Sequence, residues 1–227
     1  MADRLKGKRT VITQADDFMG LATQKVFGEE GANIIPDTSD LTDPLAADKL
    51  IERAGTVDIL IVNLAGPTFS GTLTHELADD QWERAFDIMV HPLHRLTRAV
   101  LPQMRERGSG KVVVYGSASA LRGMKTLAAY SAARAAQVGY VQAVGVEVAP
   151  LNIQINLIAQ NYVESEEYYP ATLTTKESFQ RSLKRQVPAG RLGTPREDAL
   201  FAVFLASSES DFIVGQAIPF SGGWAQR

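Results

Sequence analysis

The sequence predicts an α/β protein built on a doubly wound parallel sheet, with helices covering both faces in three α/β/α layers. Two observations support this prediction: short apolar runs alternate with longer segments of helical periodicity, and the short runs are apolar at consecutive positions. Strands covered by helices on both faces show this continuous apolar pattern. The 227 residues, 45% of them hydrophobic, suffice for one sizeable core, so we expect a single domain over residues 1–227.

Strand and helix segments follow one another in a regular order. Strands are predicted at Thr10–Thr13, Asn33–Ile35, Val57–Asn63, Lys111–Gly116 and Gln154–Ile158. Helices are predicted at Phe18–Glu30, Trp82–Arg107 and Leu127–Ala149. Ligands of such sheets bind outside the carboxyl ends of the strands. The candidate site is therefore formed by the loops that come after Thr13, Asn63, Gly116 and Ile158.

Composition excludes several classes of protein. The 23 basic and 26 acidic residues give a net charge of -3, so the chain lacks the basic field that attracts nucleic acid. It has no cysteine, and His75, His91 and His94 lack metal-ligand spacing, so we expect no metal site. The N-terminal residues lack the apolar core of a signal peptide, and no apolar run approaches the roughly 18 residues of a membrane span. We expect a soluble, cytoplasmic protein that does not bind membranes.

The helix predicted at Leu127–Ala149 is rich in small and apolar residues around its whole circumference. A helix without a polar stripe must be buried on more than one side. Packing of one face on the sheet and another on a second copy of the chain would bury it, so we expect a homo-oligomer with a two-fold interface. Full burial inside a monomer is the alternative.

Three side chains form a candidate catalytic group. Ser117 follows a predicted strand, Tyr130 lies thirteen residues later, and Arg134 is four residues beyond it on the same helix face. A phenol is a poor base at neutral pH, but a fixed guanidinium beside it stabilises the ionised form. Tyr130 could therefore act as a general base while Ser117 holds the substrate oxygen. The alternative is a buried tyrosine with an unrelated surface arginine.

Several segments resemble the short-chain dehydrogenase/reductase superfamily over essentially the whole chain. They are the order of elements, the Ser117-to-Tyr130 spacing, the N-L-A-G segment at Asn63 to Gly66 and the C-terminal G-R-L-G-T-P-R-E-D-A segment. The resemblance implies a Rossmann-like fold. The superfamily's Tyr-x-x-x-Lys is here Tyr130-x-x-x-Arg134. A Ser-Tyr-Arg triad is similar to the halohydrin dehalogenases, which use this fold without a nicotinamide cofactor.

The superfamily's phosphate loop, T-G-x-x-x-G-x-G, is altered in this chain. Gln14 and Phe18 stand where the first two glycines would be. Glycines there let backbone N–H groups approach a pyrophosphate closely. Asp16 and Asp17 add negative charge near the same place, although either could cap the following helix. We therefore expect no nicotinamide cofactor.

Two further departures concern the same half of the fold. The segment after Asp37 is too short for a long strand-helix-strand connection. We therefore expect the part of the site that would bind adenosine to be reduced. Met89 stands where the superfamily has a helix asparagine that belongs to its proton relay. By the resemblance, that relay is not retained.

The loop after Ile158 has Gln160-Asn161 where the superfamily has Pro-Gly. In halohydrin dehalogenases the corresponding loop forms a pocket for the departing halide, and successive backbone N–H groups in a turn can bind an anion. The resemblance implies a halide and substrate pocket lined by Asn161, Tyr162, Val163 and Tyr169, with Phe18 and Pro67 on the opposite wall. Ordinary loop packing is the alternative for the tyrosines.

The sequence thus leads to the hypothesis of a halohydrin dehalogenase that needs no cofactor. Tyr130, assisted by Arg134, would deprotonate the hydroxyl of a vicinal haloalcohol held by Ser117. The alkoxide would displace the neighbouring halide and close an epoxide. In reverse, the site would open epoxides with small anions.

The expected partners are small haloalcohols, epoxides and halide ions, and the resemblance implies a homotetramer. Two alternatives remain open. One is an NAD(P)-dependent dehydrogenase or reductase with a degenerate cofactor loop, which would share Ser117 and Tyr130. The other is a binding protein of the same fold without catalytic activity.

Overall fold

A computed structural model describes residues 3–226 and contains a six-stranded parallel sheet with the order β2-β1-β3-β4-β5-β6. The strands are β1 (Arg9–Ile12), β2 (Asn33–Pro36), β3 (Ile59–Asn63), β4 (Gly110–Ser117), β5 (Ile153–Gln160) and β6 (Ala217–Phe220). The helices are α1 (Gly20–Glu29), α2 (Ala46–Ala54), α3 (Asp79–Met89), α4 (His91–Arg107), α5 (Ala128–Val148), α6 (Ala171–Thr174), α7 (Glu177–Gln186) and α8 (Pro195–Ala206). The predicted doubly wound parallel sheet is confirmed.

Two hydrophobic cores lie on opposite faces of the sheet. Leu60 on β3 belongs to the core formed with α2, α4 and α5, whereas the next residue, Ile61, belongs to the core formed with α1 and α8. Successive side chains of a strand point to opposite faces, so a strand between two helical layers is apolar at every position. All five residues of β3 are buried, which explains the continuous apolar pattern and confirms the three layers.

One predicted helix is divided in two. The segment predicted as a single helix, Trp82–Arg107, contains α3 and α4, which meet at Val90. Pro92 lies in the first turn of α4, where its missing N–H costs nothing, because the first N–H groups of a helix have no partner within it. The division leaves the carbonyl groups at the end of α3 available to other donors.

The segment between β2 and β3 is short, as the sequence indicates. Among the described residues it contains one helix, α2, and no strand. β2 therefore pairs with β1 alone and forms one edge of the sheet. Asp37 follows β2 directly, with its carboxylate accepting hydrogen bonds from Ser39 and Arg53.

The surface of α5 away from the sheet is exposed in the single chain. It presents Ala135, Gly139, Ala143 and Val146, the last with 78% of its surface exposed. In the part of the chain from residue 3 to residue 226, no helix has the length and hydropathy of a membrane span.

The carboxyl ends of β1 and β3 are joined by a buried side chain. The Thr13 hydroxyl donates to the Asn63 carbonyl at 2.8 Å and accepts from the Asn63 N–H at 2.9 Å. Thr13 is fully buried, so water cannot replace it. This pair fixes the start of two loops that surround the candidate site.

We expect Thr13→Val to destabilise the protein by about 1–3 kcal/mol, because it leaves a buried N–H and a buried carbonyl of Asn63 without partners. Thr13→Ser keeps the hydroxyl and is the matched control. The free energy of unfolding in urea measures the difference. Equal stability of the valine and wild-type proteins would show that the pair does not hold the two strand ends together.

Candidate functional site

The candidate site is a cavity of about 330 Å³ at the carboxyl ends of the strands. It is lined by Phe18, Thr68, Ser70, Gly116, Ser117, Met124, Leu127, Tyr130, Arg134, Gln160, Asn161, Tyr162, Val163, Glu167, Tyr168 and Tyr169. Ligands of parallel α/β sheets bind at this edge. Mixed apolar and hydroxyl-bearing walls suit a small organic molecule that carries an oxygen.

Ser117 is the last residue of β4, where the chain turns into a short 3₁₀ segment. Its side-chain oxygen accepts from the Ser119 N–H at 3.2 Å and lies 3.0 Å from the Ser119 hydroxyl, to which it donates. These contacts fix the hydroxyl at the cavity wall, where the serine is only 7% exposed. Ser119 was not expected from the sequence, since it gains its role from the turn.

Tyr130 and Arg134 lie one turn apart on α5, and both line the cavity. The guanidinium carbon of Arg134 lies 5.0 Å from the centre of the Tyr130 ring. Arg134 is 2% exposed. Burial opposes its charge, but the hydroxyls of Tyr130 and Tyr168 outweigh burial and raise the pKa of the guanidinium. Arg134 therefore stays cationic beside the phenol.

Backbone and amide oxygens hold the buried guanidinium in place. The Arg134 Nη1 donates to the Tyr115 carbonyl at 3.2 Å and to Gln137 Oε1 at 3.1 Å. The Gln137 Nε2 in turn donates to the Met89 carbonyl at 2.6 Å. Gln137 was not expected from the sequence, although it lies on the same helix face, three residues after Arg134.

The loop between β1 and α1 keeps the backbone of a glycine loop without two of its glycines. Gln14 and Phe18 have φ angles of 42° and 46°, a left-handed conformation that favours glycine. Gly20 is held by close packing, because a Cβ there would lie 2.4 Å from the Gln14 carbonyl oxygen. Of the two candidate caps, Asp17 accepts from the Phe18 N–H, but α1 itself has no side-chain cap.

Polar side chains tie this loop to the end of β3. The Gln14 side chain donates to the Ala65 carbonyl and accepts from the Ala65 N–H. The Asn63 Nδ2 donates to the carbonyls of Gln14 and Asp17, each at 3.0 Å. The Gln14 side chain is thus held against the backbone of the loop that follows β3.

An aromatic contact lies beside the candidate catalytic group of Ser117, Tyr130 and Arg134. The Phe18 ring meets the Tyr168 ring edge to face, with 5.2 Å between ring centres. The Tyr168 hydroxyl donates to the Gly66 carbonyl at 2.9 Å and accepts from the Gly66 N–H at 3.2 Å. Burial raises the pKa of Tyr168, so it remains a neutral phenol. The contact of Tyr168 with Gly66 was not expected from the sequence, because it joins residues 102 positions apart.

The loop after β5 places the remaining expected residues on one wall. Asn161 Oδ1 accepts from the Tyr162 N–H and from the Tyr169 hydroxyl at 2.7 Å. The Tyr162 and Tyr169 rings are stacked, with 5.6 Å between centres. Val163 is buried and pairs with Gly193 in an isolated bridge. The four residues named for a pocket on this side therefore do line one cavity.

Pro67 is the expected site residue that the structure leaves outside the cavity. It is exposed and borders a neighbouring surface depression, while Thr68 and Ser70 line the cavity. Tyr168 fixes the backbone of Gly66 through two hydrogen bonds. In the chain that follows, Thr68 and not Pro67 lines the cavity.

Acidic and metal-binding groups contribute little to the cavity. Glu167 lies at its rim, where burial, and after it the charge of Asp17, raises the pKa of the carboxyl group. Within residues 3–226 no group of three or more histidine or acidic side chains could hold a metal ion.

Comparison with known proteins gives the family of the chain. Residues 5–225 match the family described as enoyl-(acyl carrier protein) reductase. A 3-oxoacyl-[acyl-carrier-protein] reductase of Vibrio harveyi is 30% identical over 96% of this chain and 87% of its own length.

Solved structures share the whole architecture. L-sorbose reductase from Gluconobacter frateurii, in complex with NADPH and L-sorbose, aligns with a TM-score of 0.90 and 26% identity over all of both chains. A protein described as a dehalogenation enzyme aligns with a TM-score of 0.89 and 30% identity over 99% of this chain and 100% of that chain.

These comparisons overturn the function expected from the sequence. The curated relatives are mainly reductases, and two of the solved neighbours contain bound NADPH, so the expectation of a halohydrin dehalogenase, a carbon-halide lyase without a cofactor, was wrong. The expectation rested on Arg134, on the altered loop before α1 and on Gln160-Asn161, whereas Ser117 and Tyr130 fit both a dehalogenase and a reductase. The chain belongs to the short-chain dehydrogenase/reductase superfamily.

Proposed function

We propose that the protein is an NAD(P)-dependent oxidoreductase that interconverts a small carbonyl compound and its alcohol. The observation that carries this proposal is the convergence of Ser117, Tyr130 and a buried cation on one cavity in a fold shared with reductases. Such a group handles the oxygen and proton of a carbonyl reduction. The names of the relatives suggest ketones and 3-oxoacyl thioesters as the first substrates to examine.

The frame of a dinucleotide site is retained. The loop before α1 keeps its left-handed backbone at Gln14 and Phe18, and Gly20 keeps the close approach that a Cβ would prevent. Helix N-termini of this kind bind pyrophosphate through backbone N–H groups. Asp37 at the carboxyl end of β2 occupies the place from which an acidic residue binds ribose hydroxyls. These groups would hold the dinucleotide.

One orphaned group also supports a ligand near the catalytic tyrosine. The Nε of Arg134 is buried and has no hydrogen-bond partner among the described residues. Buried donors are almost always paired, by protein, water or ligand. A ribose hydroxyl of the dinucleotide is one acceptor that would satisfy it.

The contact between Phe18 and Tyr168 occupies space that a bound dinucleotide would need. The Tyr168 hydroxyl is hydrogen-bonded to the backbone of Gly66, and the Phe18 ring packs against the Tyr168 ring. Binding of a dinucleotide therefore requires the two rings to separate. A protein that must first open binds its ligand more weakly, in proportion to the fraction of open molecules.

The chain's own groups carry the proton chemistry. A bound nicotinamide supplies or accepts hydride at the substrate carbon. Tyr130 gives its proton to the carbonyl oxygen, and Ser117 donates a hydrogen bond to the same oxygen. Arg134 stabilises the phenolate that remains, because its charge lies against the Tyr130 ring in a buried place.

We expect NADH or NADPH to bind the wild-type protein, and Phe18→Gly to bind the same dinucleotide about tenfold more tightly, since the change removes a ring from the track. Phe212→Gly, which alters a fully exposed ring, is the matched control and should leave affinity unchanged. Titration followed by nicotinamide fluorescence measures the dissociation constants. Absence of binding by the wild-type and the Phe18→Gly proteins would contradict the proposed function.

We expect Tyr130→Phe to lower kcat/KM for carbonyl reduction by about 10²- to 10⁴-fold, because the proton donor is lost. Tyr140→Phe is the control on the same helix, since the Tyr140 hydroxyl contacts Thr97 and His94 and does not line the cavity. Dinucleotide consumption with a panel of ketones and 3-oxoacyl thioesters gives the rates. A Tyr130→Phe protein as active as the Tyr140→Phe protein would remove Tyr130 from the mechanism.

We also propose a homotetramer that uses the exposed face of α5. Its small side chains and the exposed Val146 are suited to close helix packing across a two-fold axis. We expect the Val146→Glu protein to dissociate into smaller species, since a carboxylate would be buried at the interface. Light scattering measures the molar mass, and a wild-type monomer or dimer would contradict the proposal.

A further inference from the structure

A buried acid and a buried amide face each other directly behind the cavity. Gln160 is the last residue of β5 and is paired in register with Ser117 on β4. Its Nε2 donates to Oδ2 of Asp198, in the first turns of α8. Asp198 is fully buried, and Gln160 is 5% exposed. The pair thus joins α8 to the strand end that borders the catalytic serine.

Two of the four polar side-chain atoms of this pair make no hydrogen bond. Asp198 Oδ1 and Gln160 Oε1 are both buried without a partner among the described residues. Two buried acceptors without donors are costly, and neither can donate to the other. A single proton placed between them would satisfy both oxygens at once.

The surroundings of Asp198 give an ionised carboxylate little support. No lysine or arginine among residues 3–226 forms a salt bridge with it. From β4 the facing titratable group is Tyr115, whose hydroxyl is hydrogen-bonded to Thr23 of α1, and from β5 it is faced by the neutral Gln160. Burial raises the pKa of Asp198 to about 8, against the lowering effect of the Gln160 amide.

We propose that Asp198 is protonated in the folded protein and forms a two-bond ring with the Gln160 amide. Asp198 Oδ1–H donates to Gln160 Oε1, while Gln160 Nε2–H donates to Asp198 Oδ2. The ring satisfies all four polar atoms of the pair. It makes Asp198 a positioning residue, which holds Gln160 against the end of β4 and so holds the start of the Asn161–Val163 loop.

The position of Gln160 gives the ring its consequence for the site. Residues paired in register on neighbouring parallel strands present their side chains to the same face of the sheet, so Gln160 and Ser117 lie side by side at the cavity. Loss of the proton from Asp198 would leave a carboxylate oxygen facing the amide oxygen of Gln160, and the two acceptors would repel each other. The amide would then have to rotate, and the loop that begins at Asn161 would lose its anchor.

The sign of the pH effect follows from the raised pKa. Between the ordinary carboxyl pKa of 3.8 and the folded value of about 8, the folded protein keeps a proton that the unfolded chain has released. Stability contributed by the protonated pair therefore falls as the pH rises through this range, and is lost above about pH 8.

Asp198→Asn tests the ring without removing it. Asparagine can donate from Nδ2 to Gln160 Oε1 and accept from Gln160 Nε2, but it does not titrate. We expect the wild-type protein to lose stability relative to Asp198→Asn between about pH 4 and about pH 8, with no further relative loss above that range. We also expect an infrared carbonyl band of a protonated carboxyl group that is present at pH 6 in the wild type and absent from Asp198→Asn.

A parallel pH dependence of the two proteins, or an infrared spectrum at pH 6 without a difference in that band, would overturn the proposal. Both measurements are made without dinucleotide or substrate, so they decide the ring even if the proposed oxidoreductase function fails. The infrared comparison uses the native wild type and keeps the test valid if a variant is poorly stable.

The positioning role rests on the proposed function and has its own readout. At pH 7 we expect Asp198→Asn to keep kcat/KM within about threefold of the wild type, whereas Asp198→Ala loses about tenfold or more. We also expect the kcat/KM of the wild type, but not that of Asp198→Asn, to decline above pH 8. Equal loss in both variants would contradict the ring, because only one of them breaks it.

Discussion

The buried guanidinium of Arg134 is the interaction on which the rest of the site depends. A cation removed from water requires hydrogen bonds or charge partners, and here neutral groups supply them: the Tyr115 carbonyl, the Gln137 amide and the face of Tyr130. Gln137 in turn binds the last carbonyl of α3, at Met89. The break between α3 and α4, the position of α5 and the surroundings of Tyr130 are therefore linked through Arg134 and Gln137.

The cleft combines an inherited frame with a closed interior. The backbone before α1 follows the path of a phosphate loop, yet Phe18 and Tyr168 meet across the space that a dinucleotide would cross. The two features are compatible, because the contacts that close the cleft are weak. One edge-to-face ring contact and two hydrogen bonds to Gly66 each contribute little free energy, so they can break when a ligand binds. Under the proposed function, this closure would compete with binding of the dinucleotide.

Much of the fold could be predicted from the sequence, because continuous apolar strands and spacing along one helix are local signals. They indicated the parallel sheet and brought Ser117, Tyr130 and Arg134 to one place. The contacts of Tyr168 and Asp198 could not be predicted, since each joins segments far apart in the chain. The dehalogenase hypothesis rested on departures from the superfamily pattern, at Arg134 and in two loops. Such departures change the surroundings of the proton donor but do not fix what happens at the substrate carbon.

The most direct test of the central claim is a crystal structure of the protein soaked or grown with NADH and, separately, with NADPH. We expect density for the nicotinamide ring beside Ser117 and Tyr130, with the Tyr168 hydroxyl displaced from Gly66 and the Phe18 ring moved out of the cleft. A structure that shows no dinucleotide at saturating concentration, with the contact between Phe18 and Tyr168 unchanged, would contradict a nicotinamide-dependent function for this site.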